Sequence, residues 1–351
     1  MTGGRAVFVA LRDLRFAKGR FALMGAVVFL ITLLVTMLSG LTAGLARENV
    51  SAIEQLPADH IIFSGTGKPS FSDSRIDRKT WEGWRSVPGV TAARLGISMG
   101  RLTRGDDGTA VAVFGVDAGI QQVKPGTVVL SSALAAERGS TVTILGHDFV
   151  VDGVSGEAAY SHAPVAWIGI DDWTSLARRS GADGEATALA LRTHGEPDLP
   201  AADRRLGTTA VPLDDAPSAI GSFTSENGSL QLMRGFLFAI SALVIGAFFT
   251  VWTIQRRGEV AVLKALGAST GYVLRDALAQ ALLVLLLGAG IGGALGTGLG
   301  FLAQDTVPFV LSATTTLVPV VVMILLGAVG AALAIRKITS VDPLTALGAS
   351  R

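Results

Sequence analysis

No cysteine occurs in the 351 residues. That excludes disulfides, zinc–thiolate sites and cysteine nucleophiles. Charge is also scarce: Asp, Glu, Lys and Arg make up 16% of the chain, against about 25% in a typical soluble domain. There is no Gly-x-x-x-x-Gly-Lys-Ser/Thr segment, so the usual phosphate-cradling loop is missing. A His-Glu-x-x-His zinc motif is missing too. His60, His147, His162 and His194 are widely spaced and read as surface or core residues rather than a ligand set. The net charge of +1 gives no basis for nucleic-acid binding.

What is present is apolar. Four runs meet the roughly 20-residue length that a membrane-spanning helix needs. They cover 21–45, 235–254, 277–303 and 311–335, the last with Pro319 as a kink position. No charge pair interrupts them, which argues against a proton-driven carrier. The first run is longer than the about 7–15 apolar residues of a secretory signal, so it reads as a retained span.

Basic residues set the orientation. Arg5, Arg12, Arg15, Lys18 and Arg20 precede the first span, Arg256, Arg257, Lys264 and Arg275 follow the second, and Arg336, Lys337 and Arg351 follow the fourth. Only Asp13, Glu259, Asp276 and Asp342 oppose them in these segments. The expected topology places both termini and the 255–276 loop in the cytoplasm, and residues 46–228 outside. The chain is thus expected to be a multi-pass protein of the cell membrane: four transmembrane helices plus an extracellular α+β domain between helices 1 and 2.

Residues 1–20 read as an interfacial helix, with Val7, Leu11 and Leu14 on one side and basic residues on the other. The 255–276 loop reads QRRGEVAVLKALGASTGYVLRD, with helical apolar spacing at Val260, Leu263 and Leu266 and a break at Gly267. Residues 336–351 form a basic cytoplasmic tail. Short β-branched runs in the 46–228 region predict strands at His60–Phe63, Ala110–Val116, Gly126–Leu130, Thr141–Leu145, Phe149–Val154, Pro164–Ile170 and Thr187–Leu191. Helices are expected at Ser74–Ser86, Ser131–Arg138 and Asp171–Arg178, and a mostly antiparallel sheet. In the third span Gly288, Gly292, Gly296 and Gly300 recur every four residues, which lets another helix approach closely without saying which one. Gly40 and Gly44 form a weaker pair in the first span.

One span, a large outer domain and three further spans resemble the FtsX/MacB-like permeases, also called type VII ABC transporters. RRGEVAVLKALGAST, Arg256 to Thr270, is similar to that family's cytoplasmic signature, and IRKITSVDPLTAL, Ile335 to Leu347, to its ending. LRDLRFAKGRF resembles its N-terminal helix, and GTVVLSSALAAERGSTVTILGHDFVVDGVSG its strand–helix–strand segment. No ATPase domain is fused, unlike in the macrolide exporter. SGLTAGLARENVSAIEQLPADHIIFSG, Ser39 to Gly65, resembles the haem-exporting (HrtB-like) permeases.

The resemblance implies a homodimer embedded in lipid, served by two copies of a separate cytoplasmic ABC ATPase that holds the ATP. The chain would be no enzyme itself, and it would carry no permanent cofactor. The 255–276 loop would be the coupling helix, with Glu259 and Lys264 making polar contacts and Val260, Leu263 and Leu266 filling a groove. Haem would be the substrate, moved by ATP-driven mechanotransmission. It needs an apolar slot, axial ligands and cations for its propionates. Met37, Leu41, Gly44 and Glu48 share a helix face by their three- and four-residue spacing. Met233, Arg234, Phe236 and Phe238 open the second span. Glu48 and Met233 are the expected iron ligands, Arg47 and Arg234 the propionate partners, and Met37 and Phe236 the ring-lining residues. Two alternatives stay open: regulation of a cell-wall hydrolase in the manner of FtsX, and export of lipoproteins, peptides or antibiotics.

Overall fold

The computed structural model describes residues 18–179, 184–255, 258, 262, 266–304 and 306–339. Its helices are α1 (Lys18–Glu54), α2 (Arg78–Arg85), α3 (Ile170–Arg179), α4 (Leu199–Leu206), α5 (Gly221–Gln255), α6 (Thr270–Ala303) and α7 (Ala313–Thr339). The strands are β1 (His60–Ser64), β2 (Val90–Arg104), β3 (Asp107–Val116), β4 (Thr127–Ser131), β5 (Thr141–Ile144), β6 (His147–Ser155), β7 (Ala159–Tyr160), β8 (Ala163–Gly169), β9 (Ala188–Thr193) and β10 (Thr208–Pro212). The chain divides into Met1–Gly44 with Leu230–Arg351, and Leu45–Ser229.

In the first unit, α1, α5, α6 and α7 are each long and apolar enough to cross a membrane. At about 1.5 Å per residue, the 37 residues of α1 and the 35 of α5 outrun a ~30 Å hydrocarbon core. Both helices therefore continue well past the spans read from hydropathy alone. Their shared core holds Met24, Val28 and Val35 of α1, Ile245, Phe249 and Trp252 of α5, Leu285 and Ala289 of α6, and Met323 and Ala331 of α7.

The glycine row on α6 faces α1. A Cβ added at Gly292 would lie 2.5 Å from the Phe29 carbonyl oxygen and 3.2 Å from the Leu33 nitrogen. Backbone meets backbone there, so only hydrogen fits. Other glycines serve different neighbours: Gly293 takes Val320, Gly327 takes Leu285, and Gly330 meets the backbone of Gly246.

The second unit is a sheet in the order β10-β1-β9-β2-β3-β8-β4-β6-β5, with β7 attached to β8. Pairing is mostly antiparallel, as expected, but β3–β8 and β4–β6 are parallel. One face packs on Val50 and Ile53 at the end of α1 and on Leu56 just after it, and an edge-to-face chain of Phe63, Phe71, Tyr160, Phe114 and Trp167 fills its centre. Burial pushes the Tyr160 phenol up to about 12. The other face is covered by α3 over one half and by α2 and α4 over the rest.

All seven expected strands are found within a few residues of their predicted bounds. β2, the longest at 15 residues, was missed. It has few β-branched residues, and forms because β3 and β9 pair with it on both sides. Gly96 and Gly115 face each other in that pairing, and the Trp173 indole of α3 covers both. Trp173 Nε1 donates to Ser98 Oγ at 3.0 Å.

The helix expected over Ser131–Arg138 is instead one 3-10 turn, Ser132–Leu134. Ala135 ends it in a left-handed conformation, and Gly139 must turn back so that its N–H reaches the Val151 carbonyl. The connection leaves no length for a longer helix. The other two expected helices form as α2 and α3. Asp77 caps α2 by accepting from the Thr80 N–H at 2.7 Å.

Arg94 is the main ionic hub of this unit. Its guanidinium contacts Asp117 at 2.9 Å, Glu185 at 3.5 Å and Asp171 at 3.6 Å, and stacks 4.2 Å from the Trp81 ring. Burial opposes the charge, but the Asp117 hydrogen bond and the three carboxylates outweigh it and hold the Arg94 pKa above its ordinary value.

Candidate functional site

Within the α+β unit, three segments converge on one histidine. The short β7–β8 hairpin turns through Ser161 and His162, both at positive φ (48° and 62°). Neither is glycine, so the turn is strained unless it is held. It is held by α1: the Ser161 N–H donates to the Asn49 carbonyl at 3.0 Å, and the His162 N–H to the Glu48 carbonyl at 3.1 Å. Glu226, near the start of α5, closes the group. His162 Nε2 lies 2.9 Å from Glu226 Oε2, and Nδ1 lies 3.8 Å from Glu48 Oε2.

Asn49 sits underneath, 1% exposed. Its amide donates to Glu226 Oε2 at 2.9 Å and approaches Ser222 Oγ at 3.5 Å. Its Oδ1 is buried without a partner. The Nε2 side of the ring meets Glu226 and the Asn49 amide, and the Nδ1 side faces Glu48. The arrangement presents an imidazole nitrogen at the hairpin tip, between two carboxylates. Among the described residues no group of three or more His, Cys, Asp or Glu side chains is arranged to hold a bare metal ion.

The residues expected from sequence divide between the two units. Glu48 belongs to the histidine cluster. Arg47 is half exposed and 3.9 Å from the exposed Glu157, a pair of little energetic weight. In the membrane unit, Met37 is partly buried on α1. Met233 and Phe236 on α5 are exposed, and the Arg234 guanidinium lies 5.9 Å from the Phe238 ring. Of the coupling residues, Glu259, Val260, Leu263 and Lys264 lie outside the described residues. Leu266 is 80% exposed, and Gly267 beside it has φ +93°. The helix expected at 1–20 lies outside the described residues up to residue 17, as does the tail from 340.

His162 and Glu226 were missed by the sequence reading. They are separated by 64 residues, and only the hairpin and α5 bring them together. The one available signal was Glu226 just ahead of the second apolar run.

The exposed face of α5 is regular as well. Ser229, Met233, Phe236, Ile240, Leu243, Ala247, Thr250 and Ile254 are all exposed and alternate spacings of four and three. That is the a/d pattern of a left-handed coiled coil.

Residues 232–343 match the family model described as FtsX-like permease C-terminal. A relative named putative hemin transport system permease protein HrtB, from Staphylococcus haemolyticus, is 26% identical, covering 97% of this chain and 99% of its own length. Its counterpart in Staphylococcus epidermidis is 24% identical over the same shares. An uncharacterized ABC transporter permease of Mycobacterium tuberculosis is also 24% identical, again over 97% and 99%. Among solved structures, the extracellular domain of the noncanonic ABC-type transporter YknZ covers 44% of this chain and 99% of its own, at 12% identity and a TM-score of 0.33. Residues 232–343 thus resemble the FtsX-like permease C-terminal family, and the chain, with four helices long and apolar enough to cross a membrane, is similar along nearly its whole length to HrtB permeases.

Proposed function

We propose that this permease exports haem, driven by a separate ATPase subunit. The observation that carries the reading is the near full-length similarity to relatives named for hemin transport. A family match to the C-terminal segment alone would suit a hydrolase regulator or a lipoprotein exporter equally well. The similarity to those relatives extends through the α+β domain and so favours haem.

The chain works as a homodimer, with the heptad face of α5 as the contact between copies. Glu48 and Met233 ligate iron, Arg47 and Arg234 attend the propionates, and Met37 and Phe236 line the ring. His162 joins this proposed set, because an imidazole is a common axial ligand and Glu48 is its neighbour. Glu259, Val260, Leu263, Lys264 and Leu266 receive the ATPase, and both termini lie in the cytoplasm.

Cells carrying or lacking this gene and its ATPase, grown with haemin, test the activity: loss of either should sensitise them. Equal growth removes the haem reading and leaves the hydrolase-regulator and lipoprotein, peptide or antibiotic alternatives. The site is tested by titrating purified Glu48→Ala, Met233→Ala and His162→Ala with haemin and following the Soret band. A spectrum and affinity unchanged in a variant removes that residue from the ligand set.

A further inference from the structure

The contact between α1 and α6 repeats along its length. On α1, Val28, Thr32, Thr36, Gly40 and Gly44 recur every four residues, and all are buried. On α6, Gly288, Gly292, Gly296 and Gly300 do the same. A Cβ at Gly288 would lie 3.0 Å from the Val28 Cβ, and one at Gly296 would lie 3.1 Å from the Thr36 Cβ. The helices therefore run parallel, with Val28 opposite Gly288 and Thr36 opposite Gly296. Each rung spans four residues, about 6 Å of rise.

A ladder with closely similar rungs fixes its own register only weakly. Sliding α1 inward by one rung sets Thr36 against Gly292, and every glycine of the α6 row again meets a small or β-branched residue; sliding it outward sets Thr32 against Gly296 and brings Met24 over Gly288. Side-chain hydrogen bonds do not break the tie. The Thr32, Thr36 and Ser39 hydroxyls are buried and have no partner. Elsewhere in the spans Thr250, Thr253 and Thr297 bond to the carbonyl four residues back.

One contact along the seam does not repeat. The Phe309 ring, from the connection between α6 and α7, sits against both Gly40 and Gly300, and a Cβ on either glycine would overlap it. The Pro308 carbonyl seats on Gly44 in the same way. The Val310 N–H donates to the Gly40 carbonyl at 3.1 Å. The connection is tied in turn to α7: Thr315 Oγ1 donates to the Val310 carbonyl at 2.8 Å, and the Ser312 N–H donates to Thr315 Oγ1 at 3.0 Å. One rung outward would set Thr36 against the ring, and one rung inward would carry Gly44 off the Pro308 carbonyl.

We propose that Phe309, with Pro308 beside it, is a register key: the ring bars the outward slip of α1 on α6, the Pro308 carbonyl seated on Gly44 bars the inward one, and α1, α6 and α7 become a single rigid body. Displacement of α6 or α7 then passes to α1 without slipping along the glycine row. The geometry lies wholly within the membrane unit and does not depend on what the protein transports.

Because the native chain has no cysteine, introduced pairs report register without background. Val28→Cys with Gly288→Cys, and Thr36→Cys with Gly296→Cys, report the observed alignment. Thr32→Cys with Gly296→Cys, and Thr36→Cys with Gly292→Cys, report a slip of one rung outward and inward. A slip of ~6 Å takes a pair beyond the roughly 7 Å Cα limit for a disulfide, so the two sets discriminate.

In full-length chains oxidised in native membranes, the aligned pairs should cross-link and the slipped pairs should not. Phe309→Ala should raise the slipped-to-aligned ratio at least about tenfold, equivalent to ~1.4 kcal/mol. An unchanged ratio, or aligned pairs that fail to cross-link with Phe309 in place, overturns the proposal. Should Phe309→Ala not accumulate in the membrane, Phe309→Leu, which half-fills the notch, decides. Slipped cross-links above background then support the key, and background levels overturn it.

Discussion

Gly292→Ala is the sharpest test of how the spans pack. The added methyl would sit 2.5 Å from the Phe29 carbonyl oxygen and 3.2 Å from the Leu33 nitrogen. Both are backbone atoms of α1, so no rotamer change relieves the overlap. Ordinary carbon–oxygen contact needs about 3.3 Å or more, so α1 and α6 must part locally by nearly 1 Å. Parting loosens the neighbouring rungs at Gly288 and Gly296, where a Cβ would already lie within 3.1 Å of Val28 or Thr36. Overpacking of this kind costs about 1–3 kcal/mol. Against it stands the higher intrinsic helix propensity of Ala, roughly 1 kcal/mol.

Two positions on the same helix isolate the contact term. Gly290 and Gly298 have nothing within 4 Å of an added Cβ. Gly290→Ala and Gly298→Ala receive the propensity gain without the clash and should be neutral or slightly stabilising. The assay is thermal unfolding of the full-length protein in detergent, with all three variants compared side by side. Gly292→Ala should melt clearly below the other two. Equal midpoints would refute the placement of the glycine row against α1.

Two further outcomes follow from the α+β unit. Trp173→Ala should cost about 3–5 kcal/mol, because the indole covers Gly96 and Gly115 and neither strand has a side chain there to fill the gap; denaturant unfolding followed by near-UV circular dichroism measures it, and a loss under ~1 kcal/mol would contradict the packing. Acid should also weaken this unit. Asp59 accepts from the Thr193 N–H and hydroxyl, and Asp77 from Thr80, and these bonds hold both carboxyls below their ordinary values. Groups depressed on folding stabilise fully above the unfolded carboxylate range and lose that contribution as pH falls through the folded value. The loss should therefore appear below about pH 4, and Asp77→Ala should flatten part of it while costing about 1 kcal/mol at neutral pH through the lost cap.

Sequence alone determined the four spans, because a bilayer demands long uncharged helices and nothing else in a chain resembles them. It also determined most strands, whose β-branched runs are local signals. The glycine row announced a close contact but not its partner, since small residues state how near a neighbour can come and not which one it is. Tertiary structure alone decided that α1 is the neighbour, that the Phe309 ring lies in the notch between Gly40 and Gly300, and that β2 forms despite its composition. His162 and Glu226 are the clearest case. Their 64-residue separation carries no periodicity. Only the strained turn at 161–162, pinned to the carbonyls of Glu48 and Asn49, brings the imidazole between two carboxylates. Local patterns survive in the sequence because they act over a few residues; contacts that depend on where two distant elements end up do not.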